Sequence, residues 1–279
     1  MSDVTAISVL VRTFNSAKTL DQLIAGLSVA EDDEIIVVDS GSSDATPEIA
    51  GRHQAVIVRP PPPFHYSKSL NYGFRAAKNP WVLVISSHCV PVVPNFLEIY
   101  RREVARLPAD VVVGYAPSTL SGESDPKLDR DRTTIFEPQD YSRVSHVCGN
   151  GNTIYRRSAW EELPFDETIR TAEDKLWIIE MTRRRHRFAY LPGPRGLNKN
   201  QASLAYMFRK GYRDARALRS PGHRPMTPWQ LAGALKNLTL PKLRGEISWA
   251  NWLRYGAHIL GQFFASYRSE DNAPKDGAS

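Results

Sequence analysis

The chain has 279 residues, of which 42% are hydrophobic and 24% charged, and its net charge is +6. This length accommodates one large α/β domain with an appendage, and the composition provides for a full hydrophobic core. No run approaches the ~18 uninterrupted apolar residues that span a bilayer, and the residues after Met1 lack the basic start and apolar core of a secretory signal. We therefore expect a cytoplasmic location, or peripheral attachment to the inner face of a membrane.

The first part of the chain alternates strand-like and helix-like segments. Four apolar runs predict buried strands, at residues 7–11, 34–39, 55–59 and 81–86. Helical patterns separate them, and one of these helices begins at Thr46-Pro47, where proline suits the first turn. This alternation predicts βαβ units and a mostly parallel α/β sheet flanked by helices. Ligands bind such a sheet beyond the carboxyl ends of its strands.

The pattern changes in the second half of the chain. After a predicted strand at 111–115, the polar stretch 118–131 indicates an exposed loop, and a strand at 188–191 ends the α/β pattern. Beyond it only helices are predicted, at residues 203–218, 229–240 and 248–267. We therefore expect an α/β domain, residues 1–200, and a helical C-terminal extension, residues 201–279.

The C-terminal extension is strongly basic. From Lys199 to Arg268 there are twelve lysines and arginines but only two acidic residues, Asp214 and Glu246. This imbalance predicts an anionic partner, such as a phosphate-bearing acceptor or an acidic membrane surface. Nucleic acid is not expected, because no zinc-finger spacing, helix-turn-helix signal or aromatic RNA-binding pattern accompanies the charge.

The last predicted helix carries an apolar stripe. Its members recur at three- and four-residue intervals and are Trp249, Trp252, Ile259, Phe263 and Tyr267. Beside basic residues, such a stripe can lie in an anionic membrane surface. It can equally pack on the first domain or on a second subunit, which is the commoner use of an amphipathic helix.

Three segments carry a family resemblance. They are ISVLVRTFNS near the start of the chain, IIVVDSGSSDAT in the second strand and its turn, and the stretch from Cys148 to Trp177, where a glycine/asparagine turn precedes the acidic pair Glu173-Asp174. Together they resemble inverting glycosyltransferases of family 2, over the predicted α/β domain. The resemblance implies the GT-A fold, a Rossmann-like sheet. It also implies transfer of a sugar, as in hexosyltransferases, from a nucleotide-diphosphate donor to an acceptor hydroxyl with inversion.

The resemblance assigns nucleotide binding to residues at strand ends and at a helix start, namely Thr13, Asn15, Asp39, Lys68 and Asn71. Asp39 would accept hydrogen bonds from the base or ribose; the alternative is that it caps the turn after its strand. Lys68 lies near a helix N-terminus, where free amides and the helix dipole favour a diphosphate. The alternatives for Lys68 and Asn71 are a solvated lysine and a turn asparagine.

The family's metal-binding acid is replaced in this chain. After the fourth predicted strand the family shows an Asp-x-Asp element whose second acid coordinates a divalent ion, and here the segment is SSHCVP, with His88 in that place. Asn198 and Asn200 stand where the family often has a histidine. Imidazole suits Mn²⁺ and Zn²⁺, whereas Mg²⁺ prefers oxygen. The resemblance implies a divalent cation, Mn or Mg. Three roles stay open for His88: metal ligand, protonated contact to the diphosphate, or structural histidine.

The acidic pair provides the predicted catalytic residues. Direct displacement at an anomeric carbon requires a carboxylate that takes the proton of the acceptor hydroxyl. The resemblance assigns this role to Asp174, with Glu173 and Trp177 shaping the acceptor pocket; the alternative is a charge pair that complements the helix dipole. The upstream turn, with Asn150, Gly151 and Asn152, would bind the sugar, since glycine lets the backbone approach a ligand closely.

Glycosyl transfer to a glycan or glycolipid acceptor, in the synthesis of a surface polysaccharide or glycolipid, is therefore the predicted function. Because the metal positions deviate, a catalytically inactive nucleotide-sugar-binding or scaffold protein of the same fold is the alternative. A nucleotidyltransferase would need a glycine-rich loop after the first strand, and VRTFNSAKT contains no glycine. Cys89 and Cys148 are expected to be buried thiols rather than metal ligands or redox groups.

Overall fold

The computed structural model describes residues 5–119, 131–141, 148–169, 171–199, 203–217, 226–243 and 249–267. The chain divides into two compact units, Met1–Asn200 and Gln201–Ser279. Strands are found only in the first unit among the described residues, and the second unit is helical there.

The strands of the first unit are β1 (Ile7–Thr13), β2 (Glu34–Asp39), β3 (Val56–Val58), β4 (Trp81–Ser86), β5 (Cys89–Pro91), β6 (Val111–Tyr115), β7 (Ser118–Thr119), β8 (Thr134–Phe136), β9 (Asn152–Arg156), β10 (Arg187–Tyr190) and β11 (Gly196–Asn198). Its helices are α1 (Ala17–Gly26), α2 (Thr46–Arg52), α3 (Tyr66–Ala76), α4 (Phe96–Val104), α5 (Arg157–Glu162) and α6 (Glu173–Arg183), with a short 3-10 helix at Pro138–Asp140.

The main sheet has eight strands in the order β3-β2-β1-β4-β9-β6-β10-β8. The first four neighbours, β3 to β4, are parallel, as is the pair β6 and β10. Strand β9 runs antiparallel between β4 and β6, and β8 is an antiparallel edge strand. The predicted mostly parallel α/β sheet flanked by helices is confirmed, and its antiparallel strand β9 is an addition to the sequence prediction.

Both faces of the sheet are covered, which explains why its central strands are nearly continuous apolar runs. Alternate residues of β1 enter different cores: Val9 packs with α1 and α4 residues on one face, and Leu10 packs with α3 on the other. The second face is unusually aromatic, and Phe74 stacks on Trp160 with ring centroids 5.2 Å apart. These cores fix β1 and β4 side by side.

The register of the central strands brings polar residues to one edge of the sheet. Arg12 of β1 is opposite Ser86 of β4, and Thr13 is opposite Asp39 of β2. A small second sheet, in the order β5-β11-β7, lies after β4 in the chain and holds the segment that follows it. The predicted loop at 118–131 begins with β7, and its residues 120–130 lie outside the described part of the chain.

The second unit contains α7 (Leu204–Ala217), α8 (Pro228–Leu243) and α9 (Trp249–Tyr267). The helix α8 continues through Pro241, where the sequence prediction ended it. Two glycines let α7 and α9 approach closely: a Cβ on Gly211 would lie 2.1 Å from the His258 carbonyl oxygen, and one on Gly261 would lie 2.1 Å from that of Phe208. Among the described helices, none has the length and apolarity that a membrane crossing requires.

Candidate active site

Asp39 lies at the end of β2 and is buried. Its Oδ1 accepts hydrogen bonds from the Ser42 hydroxyl at 2.5 Å and from the Thr13 hydroxyl at 3.3 Å, and its Oδ2 accepts one from the Ser42 amide at 3.2 Å. The Arg59 Nε atom is 3.8 Å from Oδ2. The carboxylate therefore stabilises the turn after its own strand, and Arg59 supplies a compensating charge.

Asn15 joins the end of β1 to that same turn. Its backbone is left-handed, with φ of 48°, a conformation that asparagine tolerates better than most residues. Its amide donates to the Ser42 hydroxyl at 2.9 Å, and its side-chain oxygen accepts from the Ser43 amide at 2.9 Å. The neighbouring Phe14 is 63% exposed. The structure thus brings Thr13, Asn15 and Asp39 together.

Asn71 lies in α3 and has no hydrogen-bonding capacity left for a nucleotide. Its amide nitrogen donates to the Phe165 carbonyl at 2.8 Å and to Glu167 at 2.9 Å. Its oxygen accepts from the Trp160 ring nitrogen at 2.9 Å and from the Phe165 amide at 3.1 Å. Because these are all four bonds that a carboxamide can make, the residue ties α3 to the chain after α5. Lys68 is partly buried in the first turn of α3 and has no acidic partner in the described residues.

The segment in the place of the family's metal element offers one candidate ligand. The Ser86 hydroxyl donates to the Asn150 carbonyl at 3.2 Å, and the Ser87 hydroxyl is hydrogen-bonded to that of Ser16 at 2.8 Å. The His88 side chain, by contrast, makes no hydrogen bond within the described residues. No group of three or more histidines, cysteines or acids that could hold a metal occurs in the described residues.

The His88 imidazole is neutral at neutral pH. Burial, and to a smaller extent the Arg12 charge, lower the pKa of His88 to about 4. A protonated contact to a diphosphate is therefore not available in the unliganded protein. Asn198 lies opposite Cys89 in the small sheet, and the Lys199 amide donates to the His88 carbonyl at 2.8 Å. Asn200 lies outside the described residues.

Arg12 lies between the end of β4 and the start of α6, and it was not among the predicted site residues. One Nη atom is 3.4 Å from a carboxylate oxygen of Glu173, and the guanidinium is 5.4 Å from the centre of the Tyr66 ring. Its Nε atom is buried without a hydrogen-bond partner. A mostly buried arginine with so few partners is rare in proteins. The only sequence signal is its position two residues after Leu10, on the same face of β1.

Glu173 and Asp174 begin α6 after Ala172, whose backbone is left-handed with φ of 59°. Glu173 is buried, and burial, followed by the Asp174 charge, raises the pKa of Glu173 to about 7, against the opposing effect of Arg12. Asp174 is partly exposed; its Oδ2 accepts from the Asn150 amide at 2.9 Å and its Oδ1 from the Lys175 amide at 2.8 Å. The two adjacent acids therefore lie in different environments.

The turn before β9 supports the acidic pair. Besides its bond to Asp174, Asn150 places its side-chain nitrogen 3.5 Å from Glu173 and accepts from the Tyr155 hydroxyl at 2.5 Å. Gly151 does not have a positive φ. A glycine is required there because a Cβ would lie 2.8 Å from the Ser118 hydroxyl oxygen. Asn150 thus connects the turn to both carboxylates.

Asn152 and Trp177 are buried inside the fold. The Asn152 amide nitrogen donates to the carbonyls of Pro117 and Pro194 at 3.0 and 2.7 Å, and its oxygen accepts from the Tyr100 hydroxyl at 2.7 Å. The Trp177 ring nitrogen donates to the Leu163 carbonyl at 2.7 Å, and the ring packs in the aromatic core. Neither side chain is at the surface where a sugar or acceptor would bind.

Both cysteines are buried, and neither is in a disulfide. Burial raises the pKa of Cys89 to about 11 and that of Cys148 to about 12. Both groups are therefore thiols at neutral pH and poor nucleophiles or metal ligands. The Cys89 sulfur also explains why position 196 requires glycine, because a Cβ on Gly196 would overlap with that sulfur.

Comparison with protein families gives one match over much of the first unit. The model of the family described as Glycosyl transferase family 2 matches residues 8–163, which is more than half of the chain. Among curated proteins, the chain is 25% identical over 176 residues to the low-salt glycan biosynthesis hexosyltransferase Agl6 of Haloferax volcanii. That match covers 58% of this chain and 41% of Agl6, so the chain spans less than half the length of this relative.

Solved structures share the fold at low sequence identity. The mannosyltransferase PcManGT of Pyrobaculum calidifontis, in complex with GDP-Man and Mn²⁺, has a TM-score of 0.63 at 15% identity, over 93% of this chain and 86% of its own. TarS residues 1–349 of S. aureus has a TM-score of 0.58 at 15% identity, over 93% of this chain and 90% of its own. These likenesses establish the fold.

Proposed function

Because the chain belongs to glycosyl transferase family 2, we propose that it transfers a sugar from a nucleotide-diphosphate donor to an acceptor hydroxyl with inversion at the anomeric carbon. The observation that carries this proposal is the acidic pair at the start of α6, held against the turn before β9 by Asn150. It supplies a partly exposed carboxylate, that of Asp174, whose position is fixed by two backbone amides.

Asp174 is the proposed general base. Each of its oxygens accepts one backbone hydrogen bond, so each has a further lone pair for the acceptor hydroxyl. As the acceptor oxygen attacks the anomeric carbon, Asp174 takes the hydroxyl proton, and the bond from the anomeric carbon to the diphosphate oxygen breaks. The nucleoside diphosphate leaves with that electron pair. Glu173 is buried and paired with Arg12, so we assign it a positioning role.

The nucleoside is assigned to the edge formed by Thr13, Asn15 and Asp39. Support comes from their place at the carboxyl ends of neighbouring parallel strands and from Asp39 Oδ2, which accepts one hydrogen bond, from the Ser42 amide, and keeps a lone pair for a ligand. Phe14, exposed at this edge, offers an apolar surface on which a base can stack. Asn71 and Asn152 are left out of the ligand-binding set, since their amide groups are occupied within the fold.

The described residues do not fit a divalent cation. Mn²⁺ and Mg²⁺ need several hard ligands, whereas the family's acidic position holds His88 and its two preceding serines bond within the protein. No step of the proposed mechanism therefore uses a metal. PcManGT, by contrast, is described with Mn²⁺ bound.

We assign a glycan or glycolipid as the acceptor. Residues 1–200 would then bind the donor and catalyse transfer, and residues 201–279 would recognise an anionic surface. Support comes from the glycan biosynthesis of Agl6 and from exposed aromatic residues in the basic unit, among them Trp229 at 86% and Trp249 at 66% exposure. We therefore assign the enzyme to the inner face of a membrane. Flotation with vesicles containing acidic lipid tests it: binding at low salt supports the assignment, and its absence rejects it.

A donor screen tests the proposed function. Thermal stabilisation and hydrolysis are measured with UDP-, GDP- and dTDP-sugars, each with Mn²⁺ and with EDTA. We expect one nucleotide class to stabilise the protein and to be hydrolysed slowly. Stabilisation without hydrolysis or transfer would instead favour the catalytically inactive binding protein, and no stabilisation by any donor would contradict both functions.

A further inference from the structure

We propose that Arg12 is the resident cation of the site and binds the donor's diphosphate in the role that a divalent ion has in metal-dependent relatives. This inference rests on the proposed function and identifies the group that would stabilise the departing diphosphate. It starts from the mismatch between the family's metal element and the residues found after β4.

Arg12 lies where three elements of the first unit converge. It is the penultimate residue of β1 and lies opposite Ser86, the last residue of β4. The segment that replaces the metal element begins there. Its guanidinium faces Tyr66 in the first turn of α3 and Glu173 in the first turn of α6. The cation is therefore positioned between the ends of the central strands and the proposed catalytic helix.

The guanidinium has unused hydrogen-bonding capacity. It carries five N–H donors, and within the described residues it donates one hydrogen bond, of 3.4 Å, to Glu173. Nε is buried and unpaired, and the side chain as a whole is 17% exposed. Unsatisfied buried donors destabilise a protein unless a ligand completes them. An anion with several oxygens, such as a diphosphate, matches this requirement.

Guanidinium and diphosphate are chemically complementary. Arginine presents a planar fork that binds two phosphate oxygens at once, and it keeps its charge in a low-dielectric site. A fixed positive charge beside the breaking bond stabilises the negative charge that develops on the leaving group. Glu173 is then a positioning residue, because its carboxylate and the Tyr66 ring fix the guanidinium from two sides.

Arg75 provides a matched control. It also pairs with a glutamate, with an Nη atom 3.6 Å from Glu167, and its guanidinium is 5.5 Å from the centre of the Tyr72 ring. Unlike Arg12, it is 55% exposed and lies in the last turn of α3, whereas the site contains the first turn. Arg75→Gln therefore removes the same charge and the same kinds of contact outside the proposed site.

The experiment is calorimetric titration of the wild type, Arg12→Gln, Arg12→Lys and Arg75→Gln with UDP, GDP and dTDP and with the matching nucleosides, in EDTA and in Mn²⁺. We expect the wild type to bind one nucleoside diphosphate in EDTA, with affinity within about twofold of that in Mn²⁺. Arg12→Gln should lose at least about tenfold in diphosphate affinity, the equivalent of one charged hydrogen bond, and keep its nucleoside affinity. Arg12→Lys should fall between, and Arg75→Gln should match the wild type.

Retained nucleoside binding shows that Arg12→Gln is folded, and Arg12→Lys carries the test if it is not. The inference is overturned if wild-type binding disappears in EDTA and returns with Mn²⁺, or if a folded Arg12→Gln binds the diphosphate like the wild type. If the wild type binds none of the three diphosphates under either condition, the proposed function fails and this inference fails with it.

Discussion

Two polar regions at the carboxyl edge of the sheet differ in how their groups are satisfied. The Asp39 turn, residues 39–43, bonds within itself and to Thr13 and Asn15. The acidic cluster, defined as Arg12, Asn150, Glu173 and Asp174, contains a buried unpaired guanidinium nitrogen and two adjacent carboxylates. The first arrangement holds a shape, whereas the second keeps charges and donors available. Buried groups that the fold leaves incomplete are therefore the better guide to chemistry in this protein.

Loss of the Asp174 carboxylate, the accessible acid of the acidic cluster, should have the largest effect, and that effect should be on the rate of transfer. Asp174→Asn keeps the shape of the side chain but cannot take a proton, so we expect transfer to fall by about a hundredfold or more. Donor affinity should stay within about twofold, since Asp174 is assigned to the acceptor side. Single-turnover rates and donor titrations check both. Wild-type turnover in this variant would show that Asp174 is not the base.

The pH dependence of stability probes the buried member of the pair. Because the pKa of Glu173 is raised from 4.5 to about 7, its ionisation destabilises the folded state progressively from about pH 4.5 to pH 7. Glu173→Gln cannot ionise. Below pH 5 the variant and wild type should be about equally stable, and above pH 7 the variant should be more stable by about 1–3 kcal/mol. Urea denaturation from pH 4.5 to 8 measures this, and a difference that does not vary with pH would contradict it.

Substitution in the Asp39 turn should lower the stability of the folded protein. Asp39→Asn removes a buried charge that accepts three hydrogen bonds and leaves at least one donor of Ser42 or Thr13 without its partner. We expect a loss of about 1–3 kcal/mol in the free energy of unfolding. Asp110→Asn, which breaks an exposed ion pair with Arg187, is the control and should change stability by less than about 1 kcal/mol. Equal losses in chemical denaturation would show that the turn is not held by Asp39.

Relief of the backbone strain at Ala172, just before α6, should have the smallest effect on stability. Ala172 is left-handed, which costs an alanine about 1 kcal/mol relative to glycine. In Ala172→Gly, relief of this strain should offset the lost methyl group and the added chain entropy, leaving the free energy of unfolding within about 0.5 kcal/mol of wild type. Ala77→Gly, at φ of −69°, has no strain to relieve and should lose about 1 kcal/mol. Equal losses in the two variants would argue against strain at Ala172.

The parts of the fold that the sequence predicted are those buried on both faces. Strands β1, β2 and β4 are apolar runs that the sheet covers from two sides, and their periodicity is therefore visible in the sequence. Strand β9 was missed because its residues, NTIYR, follow a glycine turn and mix polar with apolar side chains. Its position between β4 and β6 depends on long-range pairing that no local pattern reports.

The site residues were predicted from their residue types, and a residue type does not tell whether its side chain points into the fold or towards the surface. Asn71, Asn152 and Trp177 have groups that can bind ligands, but each points into the fold, where carbonyls and aromatic rings surround it. Arg12 was overlooked for the opposite reason, since its partner Glu173 is 161 residues away in the sequence. Only the folded chain shows that this arginine lies beside the proposed catalytic helix.

The configuration of the first-formed product tests the central claim most directly. With the donor identified in the screen and water as the acceptor, proton NMR during the first turnovers distinguishes the two anomers of the released sugar before they equilibrate. An inverting displacement assisted by Asp174 predicts that the first anomer formed has the configuration opposite to that of the donor, and that Asp174→Asn forms it at least about a hundredfold more slowly. First release of the anomer with the donor's own configuration would contradict the account.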